Sequence, residues 1–282
     1  MLNTVAGGLI GLLSGIHAAT WGMYKDGPHE GFEVRKYLRS ILLGVGIGAV
    51  SGSILPFNAA TAVGVALLFG VDYVVERAVA EIYKTFLRQE DQSKYTIPMQ
   101  FAVRGRVVED RVLRAAFGLG YLTLMISIVG LLVSYQHSLA RHLSIVEVVL
   151  LGALGGWVSA VGGAWKDAPV EGFQPLKFFR SPVIAAFWAL VLAHLTSDLV
   201  IVMLASTGYT VATTETYKTF FFPSHPRGKF ANKPVRFPAM LRLRQRSIPL
   251  YAAIWLLVLA AFALSLSRPA PLGPTQTELS NE

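Results

Sequence analysis

The sequence predicts an all-α polytopic membrane protein of about eight transmembrane helices, arranged as two parallel four-helix repeats. Three observations carry this. Of its 282 residues, 53% are apolar and only 15% are charged, against roughly a quarter charged in soluble domains, and the mean hydropathy is +0.51. Apolar runs long enough to cross a bilayer recur along the chain. The chain also repeats itself at an offset of half its length.

A spanning helix needs about 20 apolar residues, because the hydrocarbon is ~30 Å thick and each residue rises ~1.5 Å. Eight runs meet or approach that length: 3–23, 40–56, 58–80, 115–135, 145–165, 182–196, 198–217 and 248–267. The first lacks a basic leader and runs directly into a duplicated motif, so a cleaved signal peptide is not expected. The second and sixth are short and meet their successors at tight turns around Pro56 and Thr196. A tilted span or a re-entrant half-helix fits either of them.

Charge placement orients these runs. Segments 24–39, 77–114, 166–180 and 218–246 hold 23 of the 25 lysines and arginines, leaving Arg141 and Arg268 on the other face. Cytoplasmic loops carry such an excess, which puts both termini on the non-cytoplasmic side and the chain in a cell inner or plasma membrane. The same placement accounts for the net charge of +8 without nucleic acid, which is not expected as a partner. The tail 268–282 has no apolar period and reads as disordered.

The duplication is specific. Lys25-Asp26-Gly27-Pro28-His29-Glu30-Gly31-Phe32 returns as Lys166-Asp167-Ala168-Pro169-Val170-Glu171-Gly172-Phe173, and the register continues through Lys36/Lys177, Arg39/Arg180 and Ser40/Ser181. Upstream, Gly11, Gly15 and Gly22 pair with Gly152, Gly156 and Gly163. Further on, Glu81-Ile82-Tyr83-Lys84-Thr85-Phe86 returns as Glu215-Thr216-Tyr217-Lys218-Thr219-Phe220. Four spans per half is an even number, so both halves enter the membrane in the same direction. The expected units are 1–140, 141–267 and the tail. Glycines at four- and seven-residue spacing suit close helix packing, which places the first and fifth spans near the axis between halves.

The duplicated motifs support two uses. Structurally, Asp26 or Asp167 would cap an interfacial helix with Pro28 or Pro169 in its first turn, while Lys36, Arg39, Lys177 and Arg180 reach lipid phosphates. Lys84 and Lys218, each three residues after Glu81 and Glu215, would anchor helix ends by snorkelling. Chemically, the trios Asp26, Glu30, Glu81 and Asp167, Glu171, Glu215 share one face with those cations. They could hold a phosphate-bearing ligand, with Mg²⁺ as a hard-oxygen cofactor only under an enzymatic reading.

Ionisable groups inside the apolar runs include His17, Asp72, Glu76, Arg77, His194 and Asp198. Charges at bilayer depth are costly and mark a path or a partner. Asp72 and Glu76 share a helix face, yet Ser206 and Thr210 stand at the paired positions, so any such site belongs to one half. Haem or pigment ligation by lone histidines is not expected. With no cysteine, thiolate zinc sites, iron–sulfur clusters and c-type haem attachment are excluded, and no cofactor is expected. Walker loops, Gly-x-Ser-x-Gly and His-Glu-x-x-His are absent. Three functions remain: transport or conduction of a small ion or anionic solute, a non-enzymatic lipid-binding subunit of a membrane complex or homo-oligomer, and a Mg²⁺-dependent lipid-phosphate enzyme.

Overall fold

The computed structural model describes residues 1–91, 95, 100–103, 106–138, 144–222, 230 and 233–267, without the side chains of 138, 165–167 and 169–171. Arg141 and the tail 268–282 lie outside the described residues. Eight helices form the fold: α1 (Leu2–Glu30), α2 (Val34–Ile54), α3 (Ala62–Ile82), α4 (Arg111–Ser138), α5 (Ile145–Glu171), α6 (Pro175–Leu192), α7 (Leu199–Phe220) and α8 (Ala239–Leu266). A π-helical turn, Tyr83–Leu87, extends α3, and a two-stranded ribbon pairs Ala102 with Val107 and Val103 with Arg106.

Six of the helices are long and apolar enough to cross a membrane: α1, α2, α4, α5, α6 and α8. The chain is an integral membrane protein. Helices α3 and α7 are the two that fall short in apolarity, and position explains why. They pack on each other at the centre of the bundle, wrapped by the rest. A helix that faces protein rather than lipid can carry Asp72, Glu76 and Arg77, or a run of serine and threonine. On α7, Ser206, Thr207, Thr210 and Thr214 each return a hydroxyl to a carbonyl of their own helix. The central crossing is a backbone contact, since a Cβ on Gly208 would come within 2.0 Å of the Gly70 carbonyl oxygen. Tyr209 seals it by donating its hydroxyl to the Ala66 carbonyl at 2.6 Å.

Two expectations are corrected. The Lys-Asp-x-Pro motif does not begin an interfacial helix. It is the last turn of α1, which carries Pro28 inside it, and α5 likewise runs on to Glu171. Both helices stop at a glycine in positive-φ backbone, Gly31 at φ 86° and Gly172 at φ 78°, where any side chain would be strained. Each of these glycines donates its N–H to the carbonyl four residues back, at 2.9 Å. Asp26 is therefore no N-cap.

The second correction concerns the glycine stripe. Gly7, Gly11 and Gly15 of α1 face Gly44, Gly48 and Ser40 of α2. A Cβ on Gly11 would lie 2.0 Å from the Gly44 carbonyl oxygen, so only glycine permits this approach. The stripe holds α1 to its own neighbour rather than to the paired helix α5. Gly152 and Gly156 similarly face Ala185, Ala189 and Pro182 of α6. Helix α8 packs on α1 and α3, while α4 packs on the π turn that extends α3 and on α7.

Candidate functional site

A cavity of about 340 Å³ opens among α1, α3, α5, α6 and α7, with Tyr121 of α4 on its wall. On α7 its lining runs from Thr207 to Lys218, about 16 Å at ~1.5 Å per residue. The mouth is charged. Lys25 and Asp26 come from α1, Arg77, Glu81 and Lys84 from α3 and its π turn, Lys177 and Arg180 from α6, and Glu215 and Lys218 from α7. The inner end is made of small and apolar residues, among them Val74, Val158, Ala160, Gly162, Gly163, Thr207 and Val211.

Residues named from the sequence divide cleanly. Asp26, Glu81, Lys84, Lys177, Arg180, Glu215 and Lys218 line this one cavity, so the copies of both motifs converge on it. Lys36 and Arg39, the first-half counterparts of Lys177 and Arg180, are placed elsewhere. Lys36 bonds Glu33 at 2.6 Å and sits over the Tyr95 ring, and Arg39 lies over Tyr83. Glu30 ends α1 outside the lining. The side chains of Asp167 and Glu171 lie outside the described residues.

Glu215 ties the halves together. Its carboxylate accepts from Lys25 of α1 and from Lys218 of its own helix, each at 2.7 Å, in a largely buried setting. Its counterpart Glu81 has a local pairing with Lys84 at 3.0 Å and is more exposed. Trp21 forms the wall beneath, with Lys25 4.5 Å and Arg77 5.3 Å over its ring. Among the described lining residues six cations face three carboxylates. Among the described residues Arg180 has no hydrogen-bond or ion-pair partner there, and its Nε is buried. Such a mouth attracts an anion and matches phosphate or carboxylate geometry.

The charges deeper in α3 behave differently from one another. Glu76 is fully buried and paired with the adjacent Arg77, which also donates to Ser40 at 3.1 Å. Asp72 is fully buried against the α2 glycine face, with Ser51 of α2 beside its carboxylate. His17 is buried and bonds Tyr73, while His194 lies exposed in the turn after α6. No group of three or more His, Cys, Asp and Glu side chains able to hold a metal ion occurs among the described residues. The trio Asp26, Glu30 and Glu81 is therefore not a metal cluster.

Sequence reasoning missed the inner end. Its residues are plain ones (Trp21, Val158, Gly162 and Thr207), and none carries a motif. A signal was present, however, in the positions where the two copies differ. In the registers of the duplication, His17, Trp21 and Tyr73 pair with Val158, Gly162 and Thr207. In the first half the three rings lock together: Trp21 Nε1 donates to the Tyr73 hydroxyl at 2.5 Å, which also bonds His17 Nδ1 at 2.8 Å. In the second half all three replacements line the cavity.

An integral membrane protein with a cationic, half-buried cavity is thus the class that fold and site define. Comparison with known proteins finds no matching family model, no similar curated protein and no similar solved structure.

Proposed function

We propose that the chain consists of two like-oriented four-helix halves, 1–140 and 141–267, spanning the membrane eight times, and that it transports a small anionic solute. The cavity serves as the cytoplasmic mouth of the route, since the cationic connectors belong on that side. One observation carries this reading: side chains from both copies of the duplicated motifs meet in a single cavity with surplus positive charge. Like-oriented halves are supported by the ends of α1 and α5, which line the same cavity at Lys25, Asp26, Ala168 and Gly172 and share a local backbone form. Gly31 and Gly172 share backbone angles, and the residues that start the next helices, Glu33 and Gln174, adopt φ −113° and −115°.

Flux through the purified protein in liposomes tests the proposal, with labelled chloride, sulfate and inorganic phosphate as probes. A Cβ on Gly22 or Gly163 meets nothing within 4 Å, so Gly22→Leu and Gly163→Leu obstruct the cavity without a backbone clash. Wild type is expected to move at least one of the three anions, with losses of about tenfold in Gly163→Leu and Arg180→Gln, the scale of one lost charge-assisted contact. Absence of flux for all three, or full flux in Gly163→Leu, rejects it.

A second reading, a lipid-binding subunit of a larger membrane assembly, is favoured by the start of α2. There Arg35, Leu38, Arg39 and Leu42 line a shallow groove, a cation-and-leucine surface suited to anionic headgroups. Stoichiometric partners retained in mild detergent would support it over transport. The Mg²⁺-dependent enzyme gains no support from the described carboxylates.

A further inference from the structure

The cavity occupies the place that a cluster of rings fills in the other half. His17, Trp21 and Tyr73 pack with Tyr251 stacked on the His17 ring at 4.0 Å and Trp255 edge-on to it at 5.4 Å. At the paired positions Val158, Gly162 and Thr207 are smaller, most of all glycine against tryptophan; α5 closes on Thr207 at Gly155, but the space at Gly162 stays open among the described residues. A Cβ on Gly162 meets nothing within 4 Å.

We propose that this vacated space receives the ring of an aromatic anion, whose acid group is held at the mouth by Lys177, Arg180 and Lys218. This rests on the anion-site reading and names its ligand class. The first half shows what such a space accommodates, namely an indole and a phenol ring between the first and third helices. The inner wall offers apolar surface and few free donors. Thr207 gives its hydroxyl to the Met203 carbonyl at 2.8 Å, and Thr214 gives its own to the Thr210 carbonyl at 2.8 Å. A polar or charged second group would lose its water there without replacement. Tyr121, exposed on the wall, supplies ring surface for a flat partner. Arg180, without an ion pair of its own among the described residues, supplies the cation that the acid group completes. The volume, near the lower end of ligand pockets, suits one ring or a fused pair.

Calorimetry on the full-length protein in mild detergent tests this with phenyl phosphate and inorganic phosphate, which share the acid group. Phenyl phosphate is expected to bind about tenfold or more tighter, the factor that burying one ring brings. Gly162→Trp, which restores the first-half residue, should bring the two affinities together while leaving that for inorganic phosphate unchanged. Arg180→Gln should weaken both. Should Gly162→Trp not fold, Val158→Phe obstructs the same inner end and carries the same expectation. Equal affinities in wild type, an unchanged ratio in the inner-end variant, or no binding of either phosphate overturns the proposal. Dioleoyl phosphatidic acid is the further arm: equal binding with the same sensitivity to Gly162→Trp would show that any apolar group fits and would overturn the ring. Flux of inorganic anions with a ratio of one rejects this inference alone. A high ratio without any flux rejects transport alone.

Discussion

The first and second halves carry the same motifs, yet their interiors differ. In the first, α1 lies on α2 through facing glycines, and His17, Trp21 and Tyr73 fill the space toward α3. In the second, α5 meets α6 through fewer glycines, and the equivalent space toward α7 is open and charged at its rim. Glu215 is clamped between Lys25 and Lys218, whereas Glu81 pairs with Lys84 of the adjoining π turn in a more exposed setting. The difference teaches that two segments sharing a motif pack differently where the residues between the motif positions differ. Rings fill the space between α1 and α3, whereas the residues at the paired positions of α5 and α7 line the cavity.

The largest way to break this comparison is at the tight seam. Gly11→Leu drives a side chain into the Gly44 carbonyl and is expected to abolish recovery of monodisperse protein, whereas Gly163→Leu should purify normally. Equal yields by size-exclusion chromatography would remove the distinction between a packed and an open half.

Next comes the clamp. Glu215→Gln leaves Lys25 and Lys218 facing each other in a buried place and should cost about 3 kcal/mol. Glu81→Gln, at a more exposed pair, should cost about 1 kcal/mol or less. Thermal melting in one detergent measures both, and a larger loss for Glu81→Gln would contradict the assignment of the bridge between halves. Tyr73→Phe deprives the Trp21 N–H and the His17 ring of their shared hydroxyl and should cost about 1–3 kcal/mol. Its counterpart Thr207→Val, which removes a hydroxyl bonded only to its own helix, should shift stability by about 0.5 kcal/mol.

The smallest effect sharpens rather than breaks the comparison. The chain has no cysteine, so Glu33→Cys and Gln174→Cys each introduce a single thiol at the matched helix starts. Both should react with an impermeant maleimide from the same side of the membrane, with stability unchanged. Labelling from opposite sides would dismantle the like-oriented halves.

Much of the frame was legible in the residues. Helical content and membrane character follow from apolar runs whose length matches the hydrocarbon thickness, and α1, α2, α4, α5, α6 and α8 satisfy that rule from composition. The mouth of the site was also legible, because Asp26, Glu81, Lys84, Lys177, Arg180, Glu215 and Lys218 are charged and repeated. What charge and repetition could not say was that Lys177 and Arg180 face the cavity while Lys36 and Arg39 lean on Tyr95 and Tyr83. That choice depends on which neighbour lies within reach of a flexible side chain. In sequence the motif resembles a helix start, because Asp shortly before Pro is a start signal, and only the positive φ of Gly31 and Gly172 reveals the stop.

Hydropathy by itself determined that this chain forms helices and enters a bilayer. Both are local properties, set by the cost of exposing backbone and charge to hydrocarbon. Only the tertiary structure decided where the rods touch and where they leave room. Packing depends on pairs of residues distant in the chain, so a glycine at position 11 closes a seam and a glycine at position 162 opens a cavity.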